Sequence, residues 1–79
     1  MRKKNYSSGD GSAYANMAIV TPVLRKIINR RSGKRLPSKC WVNVRDNTLW
    51  RSGGHSGGMD RISGITARTV SDSISEYEK

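Results

Sequence analysis

The sequence predicts a small α+β domain in which short helices precede and follow one β-hairpin. Three observations predict it. Residues 21–33 carry the start, interior and stop signals of a helix, residues 40–51 alternate with period two about a turn, and residues 60–77 return to helical spacing. With 79 residues, 34% of them hydrophobic and no Phe, the chain holds one modest core. A core of that size is marginal alone, which favours a homo-oligomer or folding partly on a ligand more than in a larger domain.

The first segment, 1–11 (MRKKNYSSGDG), is basic and then Ser/Gly-rich with almost nothing to bury, and reads as a flexible basic arm. The expected core spans 12–52. Ser12 is placed to cap a short helix running from Ala13 to Ile19, in which Tyr14, Met17 and Ala18 recur at helical spacing. The next helix is better marked. Thr21 suits its N-cap, Pro22 falls where a missing N–H costs nothing, and Gly33 follows Arg31 and Ser32 as a stop. Its apolar stripe is Val23 or Leu24 with Ile27 and Ile28, and Arg25, Lys26, Asn29 and Arg30 fall mostly on other faces.

Pro37 disfavours helix at Leu36 and opens a loop. Cys40 to Arg45 then alternates, Asp46-Asn47 supplies turn chemistry, and Thr48 to Arg51 returns. A two-residue turn would set Val44 opposite Leu49 on the buried face, and Asn43 opposite Trp50 beside Trp41 on the other. Residues 53–58 read as a glycine-rich flexible loop. Residues 59–79 read as a C-terminal helix or partner-contact segment, capped by Asp60, running from Arg61 to about Tyr77 and turning Ile62, Ile65, Val70, Ile74 and Tyr77 inward. Its charge is near balance, which suits packing or a protein contact better than phosphate.

Composition excludes several classes. One cysteine, Cys40, forms no intrachain disulfide, and with His55 as the sole histidine no soft ligand set for a structural metal exists. No cofactor is expected. No apolar run approaches the ~20 residues of a membrane span. Met1-Arg2-Lys3-Lys4 has the charge of a signal-peptide start, but Asn5 to Ser12 is polar where an apolar stretch should follow, so a cytoplasmic protein is expected. Catalysis is not expected. His55 lies among glycines without an orienting partner, Cys40 sits on a strand face with Val42 and Val44, and the glycine pairs lack the Gly-Lys-Ser/Thr of a phosphate loop.

Charge is the strongest functional signal. The formal net charge is +9, and from Arg25 to Arg51 nine cations (Arg25, Lys26, Arg30, Arg31, Lys34, Arg35, Lys39, Arg45, Arg51) stand against one acid, Asp46. A cationic surface built into folded elements attracts a polyanion by releasing its condensed counterions. Arg25, Lys26, Asn29 and Arg30 are residue types that read base edges. Arg31, Lys34, Arg35 and Lys39 would meet the backbone, and Arg45 and Arg51 on the hairpin a flanking phosphate or minor groove. Duplex DNA is the leading partner.

The order of two short helices meeting at Val20-Thr21, the run Thr21-Pro22-Val23-Leu24-Arg25, a Leu-Pro loop and an aromatic, arginine-bearing hairpin resembles the winged-helix DNA-binding domains of phage excisionases and MerR-type regulators. The likeness covers about residues 12–51. It departs from the family where Ile19-Val20 stand in place of a turn glycine, and in a longer, more basic loop at 33–39. The resemblance implies a helix-turn-helix with a β-hairpin wing, in which Arg25, Lys26, Asn29 and Arg30 enter a groove and 45–51 form the wing. It also implies a regulatory, recombination or architectural role without catalysis. Two other readings use the same residues. One is a basic modulator or inhibitor docking on the acidic patch of a larger enzyme, such as a polymerase or nuclease, with 59–79 as a protein contact. The other is an RNA or single-strand binder stacking bases on Trp41 and Trp50, ranked below duplex DNA because a two-stranded hairpin is a small platform.

Overall fold

The computed structural model describes residues 16–53 and 58–79. The expected arm at 1–11, residues 12–15 and His55 lie outside them. The described residues form β1 (Met17–Ile19), α1 (Pro22–Ser32), β2 (Trp41–Asn43), β3 (Leu49–Ser52), β4 (Met59–Ile62) and α2 (Ala67–Tyr77). The architecture is α+β. Four antiparallel strands lie in the order β1-β2-β3-β4, and both helices pack on the face that carries Ala18, Val42 and Leu49.

The helix expected over 13–19 is corrected for its described part. Met17–Ile19 is a strand, with Ala18 opposite Val42 and Ile19 opposite Trp41. Alanine propensity is overridden by the neighbouring residues. Ile19, Val20 and Thr21 are β-branched and run into Pro22, which disfavours helix at the residue before it. Along the segment Met17, Ala18 and Val20 are buried and Ile19 is exposed. Two backbone bonds tie the segment to β2, from Val20 N–H to the Cys40 carbonyl at 2.9 Å and from Val44 N–H to the Asn16 carbonyl at 2.8 Å.

α1 follows its local signals. The Thr21 side chain accepts from Leu24 N–H at 3.3 Å, Pro22 opens the helix, and Gly33 ends it at φ 72°, a left-handed conformation glycine adopts without a Cβ penalty. Leu24 and Ile28 are fully buried, while Val23 is exposed, which resolves the stripe in favour of Leu24.

The hairpin of β2 and β3 stands, with its register corrected. Val42, not Val44, opposes Leu49, and Trp41, not Asn43, opposes Trp50. The turn is longer than two residues. Asn43 N–H donates to the Thr48 carbonyl at 2.8 Å, and Asn47 N–H donates to the Asn43 carbonyl at 2.7 Å, with Asn47 at φ 61°. Two short side chains stabilise the wider turn: Asn43 Oδ1 accepts from Arg45 N–H at 2.8 Å, and Asp46 Oδ1 accepts from Thr48 N–H at 3.0 Å. A two-residue slip preserves the faces, so the tryptophans still point away from Val42 and Leu49.

The expected start of the C-terminal helix is also corrected. Residues 59–62 are not helical but add β4 to the sheet, pairing Ile62 with Leu49 and Arg61 with Trp50. The glycine-rich stretch therefore joins two paired strands. Gly53 N–H donates to the Gly58 carbonyl at 2.7 Å, and a Cβ on Gly53 would stand 2.9 Å from that oxygen, so a side chain is excluded there. α2 starts at Ala67 because Thr66 is the better cap, accepting from Thr69 N–H at 3.1 Å beyond the left-handed Gly64. Val70, Ile74 and Tyr77 pack inward from the helix, joined by Ile62 from β4 and Ile65 from the loop. Buried Ser73 satisfies its hydroxyl by donating to the Thr69 carbonyl at 2.8 Å. Among the described residues no helix is long and apolar enough to cross a membrane.

Candidate nucleic-acid interface

α1 and the loop 33–38 enclose an open cleft of about 750 Å³. Among the described residues five cations line it (Arg25, Lys26, Arg30, Lys34, Arg35), together with Asn29, and no acidic side chain does. The loop is shaped by its own sequence. Gly33 reverses the chain at the end of α1, Leu36 is buried in the core, and Pro37 prevents a second helix from forming. Lys26, Arg30, Lys34 and Arg35 are exposed and Arg25 is half-buried, so four of the five charges lie in water.

Asn29 does more than line the cleft. Its Oδ1 accepts from Leu36 N–H at 2.9 Å, fastening the loop to the helix seven residues earlier. Removing that acceptor strands a backbone donor next to a buried side chain. Asn29→Ala is expected to cost about 1–3 kcal/mol, read from urea unfolding, and to loosen the loop that carries Lys34 and Arg35.

The other cations named from sequence separate from this cleft. Arg31 faces α2. There the Glu76 carboxylate accepts from Arg30 Nη2 at 2.7 Å and from Arg31 Nη2 at 2.9 Å, so one acid holds two guanidinium groups. Hydrogen bonds from Arg30 and then Arg31 hold the Glu76 carboxyl below its ordinary value of 4.5. A carboxyl depressed in the folded state adds stability that is present above the unfolded value and lost as pH falls through the folded one. The unfolding midpoint of the parent should therefore fall on acidification below pH 4.5 more than that of Glu76→Gln. At neutral pH the same variant frees both guanidinium groups, and duplex affinity should rise roughly fivefold, the weight of one phosphate contact. Anisotropy titrations of the two proteins check this.

Trp41 and Trp50 are cross-strand partners on the face of the sheet turned away from the helices, where Lys39 places its Nζ 5.9 Å from the Trp41 ring centroid. Arg45 is exposed in the hairpin turn, and Arg51 is exposed on β3 opposite Asp60. Cys40 belongs to the core, where burial pushes its thiol up to about 11 against a smaller opposing effect of Arg25. A protonated, buried thiol is a poor nucleophile.

Two neighbours of these groups, neither of them lining the cleft, are not apparent from sequence. Glu76 reads there as part of a solvated face, because its partners lie more than forty positions away. Arg61 reads as helical, whereas β4 sets it beside Trp50. Treating 53–58 as a connection between paired strands would find it.

Set against protein-family models, curated proteins and solved structures, the chain matches none.

Proposed function

We propose that the protein is a non-catalytic nucleic-acid-binding accessory module that grips the phosphate backbone of duplex DNA with the cleft between α1 and the loop 33–38. The observation that carries this reading is the gathering of five cations, one of them (Arg30) also paired with Glu76, around one open cleft that no acid lines among the described residues. A carboxylate ligand could satisfy one or two of them. A row of phosphates uses the four that Glu76 does not hold, and it suits a chain whose formal net charge is +9. α1 would act here without a preceding helix, because Met17–Ile19 is a strand and not the first helix that the winged-helix resemblance implies. With the Asn29 acceptor engaged by the loop, the grip is chiefly electrostatic, and sequence preference is expected to be weak.

The test is fluorescence anisotropy of a labelled random duplex across a salt series. Binding should weaken by about 0.9 log units per log unit of salt for each phosphate neutralised, a slope near −3.6 for the four cleft cations that Glu76 does not hold. Failure to bind at about 0.15 M salt would transfer the cations to an acidic protein partner.

A further inference from the structure

We propose that the sheet face turned away from the helices is a second site, which takes the unpaired bases of a single strand. The inference rests on the nucleic-acid reading for the class of partner, and on separate residues for the site itself. The register sets Ile19 opposite Trp41, Trp41 opposite Trp50 and Trp50 opposite Arg61, one row across all four strands. With strands about 4.8 Å apart, that row spans roughly 14 Å, room for successive bases. The sheet thus widens the two-stranded platform expected from sequence.

Three observations select a stacking ligand. Ile19 is exposed and both tryptophans are half-buried, and none of the three belongs to the core, which is built from Ala18, Val42 and Leu49 on the opposite face. The Trp50 indole N–H donates to Thr48 Oγ1 at 2.7 Å, and that hydroxyl donates to Asp46 Oδ1 at 2.6 Å. The one polar atom of the ring is therefore satisfied within the protein, which fixes the ring's tilt and leaves its π-surface for a ligand. Finally, cations accompany the row: Arg61 lies beyond Trp50, and Lys39, whose Nζ stands 5.9 Å over the Trp41 ring, would give way to a stacking base and meet its phosphate. Aromatic rings between cations are the means by which proteins stack bases while holding the backbone, with little regard to sequence. Because the phosphate cleft lies on the helical side, the two sites would engage separate stretches of nucleic acid.

The experiment uses the full chain and its intrinsic tryptophan emission, titrated with oligo-dT of about 16 nucleotides and with an abasic phosphodiester strand of equal length. Oligo-dT should quench the emission and bind at least roughly tenfold tighter than the abasic strand, since each stacked base contributes about that much. Arg61→Ala, an exposed position, should weaken oligo-dT several-fold with duplex affinity unchanged. Trp50→Leu should abolish the preference for oligo-dT over the abasic strand. Equal affinity for the two strands in the parent protein would overturn the proposal, whatever the variants do. So would emission that shifts with protein concentration alone while oligo-dT fails to compete, because the face would then belong to a second copy. A preserved oligo-dT preference without duplex binding would leave this site standing and remove the cleft's role.

Discussion

Replacing Lys26, Lys34 and Arg35 together by alanine should lower affinity for duplex DNA about a hundredfold at about 0.15 M salt. The magnitude follows from counterion release. Each phosphate contact contributes about 0.9 log units per log unit of salt, so losing three removes roughly 2.7 from the salt slope. All three side chains are exposed and none belongs to the core, so the thermal midpoint should stay close to that of the parent. The loss should be uniform across duplex sequences, since these groups would meet phosphate and not bases. An unchanged slope would remove the cleft from the binding surface.

The largest expected effect on stability is at Leu24. Its side chain is fully buried within the core cluster, so Leu24→Ala should cost about 3 kcal/mol as lost transfer energy plus an unfilled cavity. In so small a domain that is a large share of total stability, of which a single core rarely supplies more than about 5 kcal/mol. Urea unfolding should show a midpoint far below the parent's. Val23, one position earlier and 59% exposed, provides the control: Val23→Ala should change stability by less than about 0.5 kcal/mol. Similar losses at both positions would mean that the buried face of α1 is wrongly assigned.

The features legible in the sequence are those encoded locally. Thr21, Pro22 and Gly33 mark the ends of α1 within a dozen residues, and the structure uses all three. The alternation at 40–45 and 48–51 marks the hairpin and the outward face of the tryptophans. The register differs from expectation because Asn43 and Asp46 hold a wider turn through their own side chains. The strands β1 and β4 were not legible. Each is three or four residues long and is specified by a neighbour distant in sequence, while alanine content at 13–18 and apolar spacing at 62–65 pointed to helix.

The candidate site shows the same division. The excess of cations from Arg25 to Arg51 is plain in the sequence, but not their partition. Six of the twelve residues singled out line the cleft, while Arg31 turns to Glu76 and the tryptophans lie on the far face of the sheet. Helical spacing puts Asn29 in line with Arg25 as a base reader. It could not anticipate that Oδ1 would be taken by Leu36 N–H, because that bond depends on how the loop after Gly33 folds back. Glu76 was invisible as a ligand of two arginines for the same reason, since the contact exists only once α2 lies against α1.

The most direct measurement is a titration of the isotopically labelled protein with a short duplex, followed by backbone amide shifts. The shifts should gather at Arg25, Lys26, Arg30 and residues 33–38, grow with added duplex, and collapse on raising the salt. Shifts concentrated instead on α2 and on Arg51 and Asp60, with the cleft silent, would contradict the assignment of the phosphate-binding surface.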